Sequence, residues 1–249
     1  MPVKVLLKFC LDGEVKAKEL TPKVVHGLFF SLFSNREIGE KFHSSSVKPF
    51  SLFFPLYFRS PERVVKSFSL EVNVLNNALY PLFAGELLGR IREGVEFKVG
   101  KVKLYLKDFR GLEVATYEKF LEEKGERDYV LDFLTPTAFK KGNYDYPLPD
   151  PYLLVKNLIG RWNVWSPFKF SQEELKSLCH SLVLSGCWIK TKKVEISPEA
   201  KFTGFSGRVY FYCSDVEFRE KVAALLKFAE FAGVGRKTTM GFGKVKCLR

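Results

Sequence analysis

The segment Gly233-Val-Gly-Arg-Lys-Thr-Thr-Met-Gly-Phe-Gly-Lys-Val245 constrains the fold of this chain more than any other stretch. It places four glycines and three cations between a helix-like run and a final strand-like run. Two Gly-x-Gly pairs let the main chain take positive φ and come very close to a neighbour. Cationic side chains beside exposed N–H groups suit phosphate oxygens. Gly233, Gly235, Arg236, Lys237, Thr238, Thr239, Gly241 and Gly243 are therefore the first candidates for holding a polyanion. Two common nucleotide loops do not fit. A dinucleotide fingerprint needs a third glycine at Thr238 and opens a helix after a strand, the reverse of the order here. A Walker loop needs four residues between Gly235 and Gly241, where five stand, and then a lysine in place of Phe242. The structural alternative is a glycine-capped helix followed by a loose hairpin.

Charge points the same way. The 249 residues carry 40 Lys and Arg against 28 Asp and Glu, a net charge of +12. That balance favours a polyanionic partner, nucleic acid ahead of an anionic membrane surface, with a solvated lysine-rich surface as the plain alternative. The five cysteines (10, 179, 187, 213 and 247) are scattered and form no C-x-x-C pair. Neither a disulfide framework nor a zinc site is expected, and no metal or cofactor is implied. Lys8 and Asp12 interrupt the first apolar run, so no secretory leader is expected. No window approaches the ~18 uninterrupted apolar residues of a membrane span. The expected setting is reducing and cytoplasmic.

Hydrophobic periodicity gives an element order. Val3, Val5, Leu7 and Phe9 alternate with other residues as a half-buried strand. Thr21-Pro22 starts a helix with Val25, Leu28, Phe29 and Leu32 at helical spacing. Residues 35–47 are polar and predict a loop or short irregular helix. Residues 50–58 and 67–75 predict strands, 76–90 a helix, and 97–109 a strand. Residues 117–127 are charge-rich and could link two domains. The pattern then restarts with a strand at 129–134, a helix after Asp150-Pro151, and a capping box Ser171-x-x-Glu174 before an extra helix. A hairpin from 188–196 and 207–213 follows, with Gly204 and Gly207 near its turn. A second box, Ser214-x-x-Glu217, precedes a helix ended by Gly233, and 242–248 closes as a strand. Both halves have the order β-α-β-β-α-β. The fold class is α+β, two tandem ferredoxin-like domains over 1–120 and 121–249, with one face of each sheet left for a partner.

With these residues in view, the chain resembles the CRISPR-associated repeat-processing endoribonucleases, part of the repeat-associated RNA-binding superfamily. The resemblance covers the whole element order. It rests mainly on the G-x-G-x5-G-x-G segment between the last helix and last strand, and on a lone His after the first helix. Leu134-Thr135-Pro136-Thr137, Lys48-Pro49-Phe50 and Gly204-Phe205-Ser206-Gly207 match more weakly. The resemblance implies metal-independent cutting of CRISPR repeat RNA. A ribose 2′-OH would attack the neighbouring phosphate, leaving a 2′,3′-cyclic phosphate and a 5′-OH.

Such chemistry needs a base, an acid and positive charge at the phosphate. The chain has three histidines. The resemblance makes His43 the first candidate as base or acid, Lys48 a candidate for stabilising the phosphorane, and His26 the second histidine. Some relatives use a tyrosine on the first helix; the matching position lies near Phe30, which cannot ionise. Ser44, Ser45 and Ser46 could lend a hydroxyl. The plainer readings are a solvated loop for His43, a packed helix residue for His26 and an edge charge for Lys48. His180 falls near a predicted helix end, where the dipole favours it, and Cys179 beside it reads as helix packing.

RNA contacts are expected from the glycine segment and from Lys190, Lys192 and Lys193 after Trp188. Lys140-Lys141 and Arg161 with Trp162 and Trp165 are further candidates, the rings offering stacking surfaces. Most of the 25 Phe are expected in the core. CRISPR repeat RNA is the expected partner, with an effector complex as a further one, and the protein is expected as a monomer or homodimer. Two competing functions share these features: a non-catalytic RNA-binding subunit of an effector complex, and a tandem RNA-recognition module. The second would need a consensus aromatic strand that Gly241-Phe-Gly-Lys-Val245 only faintly echoes.

Overall fold

A computed structural model describes residues 1–248. Two compact units emerge. The first holds Met1–Val114 with the short segments Glu195–Ala200 and Thr239–Gly241; the second holds Ala115–Val194, Lys201–Thr238 and the residues from Phe242 onward.

In the first unit, β1 (Val3–Lys16) buries Val3, Val5, Leu7 and Phe9 as its alternation predicts. Helix α1 (Pro22–Ser31) begins where Thr21 accepts a hydrogen bond from the Val24 N–H and Pro22 fills the first helical position. The remaining elements are α2 (Arg36–His43), β2 (Phe50–Phe53), α3 (Pro55–Arg59), β3 (Val64–Val74), α4 (Tyr80–Arg92), β4 (Glu96–Val99) and β5 (Val102–Val114). The sheet runs β2-β3-β1-β5-β4 with antiparallel neighbours throughout. Its first four strands have the ferredoxin-like order, and β4 is an added edge strand. The core is strongly aromatic. Phe29 of α1 stacks on Phe50 at 4.3 Å and meets Phe42 and Phe83 at 5.8 and 5.7 Å. Such ring pairs add ~0.5–1.5 kcal/mol beyond the area they bury.

Of the loop and short-helix alternatives for residues 35–47, the helix forms over 36–43, because the Asn35 side chain accepts from the Glu37 N–H and Phe42 is drawn into the core. Two expectations change here. The aromatic run 50–58 is strand only to Phe53, at the edge of the sheet, since Pro55 opens a short helix. The 97–109 strand is a hairpin, with Gly100 at φ +58 between β4 and β5.

The second unit contains α5 (Tyr117–Leu121), β6 (Asp128–Thr137), the small hairpin β7 (Phe139–Lys141) and β8 (Tyr144–Tyr146), α6 (Pro151–Trp165), α7 (Gln172–Ser181), β9 (Leu182–Ser197), β10 (Ala200–Cys213), α8 (Arg219–Ala232) and β11 (Val245–Leu248). The four-stranded sheet runs β11-β6-β10-β9, again ferredoxin-like, with α7 the extra helix. The Ser171–Glu174 capping box forms as expected.

Several local readings are corrected. The charge-rich stretch after residue 116 is no open linker, because Tyr117 and Phe120 are buried and pack on Trp162 and Phe228. Asp215, not Ser214, caps the turn before α8, while the Ser214 hydroxyl donates to the Ser181 carbonyl. Gly204 and Gly207 lie inside β10. The hairpin turn falls between Ser197 and Ala200, and Gly207 at φ +123 sits where the β6 register shifts. The closing strand starts at Val245, three residues after the predicted Phe242.

Candidate active site and the glycine segment

Helices α1 and α2 of the first unit wall an open depression of about 520 Å³ whose lining includes His26, Phe30, Phe33, Arg36, Glu40 and His43. The two candidate histidines meet one ring. His26 and His43 both stand edge-to-face on Phe30, at 5.0 and 5.4 Å between centroids. Phe30 is one turn beyond His26 on α1, and His43 ends α2, so the helix formed by 36–43 is what brings the second imidazole back. Phe30 is therefore an apolar ring that both imidazoles share as an edge-to-face neighbour.

Each histidine is held differently. His43 is exposed, and Lys48 Nζ donates to its main-chain carbonyl, so the ammonium lies beside it. His26 is half-buried, with Nδ1 2.8 Å from the Thr239 carbonyl. A carbonyl only accepts, so Nδ1 carries the proton and Nε2 is the basic nitrogen. Thr239 belongs to the first unit, in the short helical turn Thr238–Met240. Ser44 ends α2 with its N–H on the Glu40 carbonyl at 2.7 Å.

Arg36 and Glu40 escaped the sequence reading. They pair at 3.0 Å across one helical turn, and Arg36 is highly exposed at the rim of the depression. The i,i+4 spacing behind an Asn cap was the available signal.

The glycine segment is packed inward. Gly233 ends α8 at φ +71. The Val234 N–H donates to the Gly243 carbonyl, the Gly243 N–H to Pro136, and the Arg236 N–H to Ala138. The Gly235 N–H donates to Asn157 Oδ1, and its carbonyl accepts from Arg161. A Cβ at Gly235 or Gly243 would collide with the Ala138 or Val234 carbonyl, and both residues have positive φ. The close approach these glycines permit is thus to the chain's own backbone, just past β6 for Gly235 and within the segment for Gly243. Thr238 is buried, its methyl against Gly233 and Gly243, and Arg236 pairs with Asp145. Lys237 takes φ +58 and is half-buried.

The other basic candidates separate into two kinds. Arg161 turns inward: it donates to the carbonyls of Ala232 and Gly235, and burial pulls its guanidinium down to about 10. Trp162 is a buried core residue, and Trp165 is half-buried. Lys190, Lys192 and Lys193 are exposed on β9, and Lys140 and Lys141 on β7. His180 lies in the last turn of α7, its Nδ1 2.7 Å from the Lys176 carbonyl. Cys179 beside it is buried, and burial pushes its thiol up to about 11, which leaves no thiolate nucleophile near neutral pH. Among the described residues no three His, Cys, Asp or Glu side chains converge on a metal site, and no helix is long and apolar enough to cross a membrane.

The chain is similar to known proteins in sequence and in fold. Residues 131–245 match the family model for the CRISPR-associated endoribonuclease Cas6. A CRISPR-associated endoribonuclease Cas6 of Mycobacterium tuberculosis is 31% identical over 122 residues, 48% of this chain but only 38% of that relative. A solved Cas6 product complex is 27% identical over the whole of both chains, with a TM-score of 0.82. A structure of Thermus thermophilus Cas6 is 25% identical, covers 100% of this chain and 98% of its own, and has a TM-score of 0.73.

Proposed function

We infer that this chain, which belongs to the Cas6 family, is an endoribonuclease that cuts CRISPR precursor RNA within its repeats to release guide RNAs. The observation that carries the reading is the pair of imidazoles that both meet Phe30 in one open depression.

In this reading His26 Nε2 takes the proton from a ribose 2′-OH, because the Thr239 carbonyl holds the proton on Nδ1. The 2′-oxygen then bonds to the adjacent phosphorus. His43, protonated, gives its proton to the departing 5′-oxygen. Two ends result, a 2′,3′-cyclic phosphate and a 5′-OH. Lys48 and Arg36 supply positive charge as the phosphorane gains negative charge. The reaction so drawn moves two protons through side chains and needs no metal ion. The basic surfaces of β7 and β9 and the Lys237 ammonium would hold the RNA backbone. The enzyme would work in the cytoplasm, alone or within an effector complex.

Incubation with cognate repeat RNA in excess EDTA tests this directly. One defined cut with a cyclic phosphate end is expected. Tight binding with intact RNA would instead make the chain a non-catalytic repeat-binding subunit, and a cut that EDTA abolishes would overturn the proton-transfer scheme.

A further inference from the structure

The edge strand β9 carries Trp188 with 80% of its surface exposed, the highest value among the large apolar side chains described. An indole left in water this completely is uncommon, and it does not stand alone. A side-chain carbon at Gly186 would sit 3.9 Å from the Tyr210 ring, so positions 186 and 210 share a face of the sheet. Alternation along β9 brings Trp188, Lys190 and Lys192 to that same face and sends Lys193 to the other. On β10, Arg208 and Tyr212 flank Tyr210 on this face. Across the register Arg208 lies opposite Asp132, Lys246 opposite Asp132, and Tyr212 opposite Asp128. The face therefore combines an exposed indole and two phenol rings with four cations against two carboxylates.

Flat rings among cations on an open sheet suit a nucleobase and its phosphates. A paired A-form stem hides its bases within the stack, so the ring faces can serve only unpaired nucleotides. We propose that Trp188 is a stacking platform for an unpaired nucleotide of the bound RNA, with Lys190, Lys192 and Arg208 contacting the adjoining phosphates. The proposal rests on the RNA-binding reading above and names the kind of RNA segment that this second surface takes.

Tryptophan fluorescence tests it with the full-length protein, titrated with an unstructured oligoribonucleotide and, separately, with a blunt RNA duplex. Comparing wild type with Trp188→Phe isolates the Trp188 signal from Trp162 and Trp165. The single strand should quench that signal and the duplex should not. Trp188→Ala should bind the single strand roughly 5–100-fold more weakly, while Trp188→Phe keeps most of the affinity. Because Trp188 is on the surface, both variants should melt as wild type does. Single-strand affinity unchanged in Trp188→Ala, or equal quenching by the duplex, overturns the proposal. Cutting of repeat RNA by wild type, followed in parallel, separates the two readings: a cut with no Trp188 effect sinks this inference alone, and a Trp188 effect with no cut sinks only the nuclease.

Discussion

The glycine segment and the histidine depression use their residues in opposite directions. Around Gly233–Gly243 the donors and acceptors turn inward: the N–H groups of residues 234, 235, 236 and 243 are all taken by the chain itself, Arg236 is paired, and Thr238 is packed. Around α1 and α2 polar groups turn outward: His43 is exposed and Arg36 stands at the rim, while Phe30 meets both imidazoles and packs on Phe29, Phe33 and Phe50. The conspicuous motif is therefore tied largely to the chain's own backbone, and the chemistry proposed here falls where the sequence is plain. The two are not unrelated, since the Thr239 carbonyl fixes the tautomer of His26.

If this contrast holds, substitutions of the histidines in the depression should change rate and leave stability alone, and those in the glycine segment should do the reverse. His26→Ala should lower cleavage roughly 10²–10⁴-fold with the melting temperature unmoved. Combining it with His43→Ala should add little beyond the worse single variant if, as proposed, the two histidines act as one unit. Gly243→Ala should destabilise by at least ~1–3 kcal/mol, the cost of positive φ for a side chain, before its collision with the Val234 carbonyl is counted. Arg161→Ala strips partners from two carbonyls at the end of α8 and in the glycine segment. It should cost about 1–3 kcal/mol, or ~2–4 °C in melting temperature per kcal/mol. A large loss of rate at an unchanged melting temperature in either variant would break the contrast. Phe30→Ala should slow cleavage by roughly 10–10²-fold, because both rings lose the surface that orients them. The smallest effect is expected at Cys179→Ser. Its thiol stays protonated near neutral pH, so the cleavage rate should match wild type.

Legibility followed the strength of the local signal. The Thr21-Pro22 and Asp150-Pro151 starts and the Ser171–Glu174 box specify their helices within a few residues, and all three form. Alternation located β1 because its odd positions face a core. It missed the β4–β5 hairpin, where the signal was a single glycine between two similar apolar runs. Residues 36–43 left a loop and a short helix open because their composition is polar. One buried Phe42 and the Asn35 cap are enough to make them helical, and that helix returns His43 to Phe30. Arg161 and Trp162 looked like an RNA contact because sequence shows residue type but not direction. Helix α6 turns Trp162 into the core and Arg161 onto main-chain carbonyls. The inward role of the glycines was equally hidden, since positive φ serves a close approach to any neighbour, whether RNA or the chain's own backbone.

The most direct test of the central claim is single-turnover cleavage of cognate repeat RNA by His43→Ala, with RNA affinity measured on the same preparation. The account predicts a rate at least about 10²-fold below wild type at nearly unchanged affinity. A wild-type rate in this variant would remove the depression from the chemistry and contradict the account.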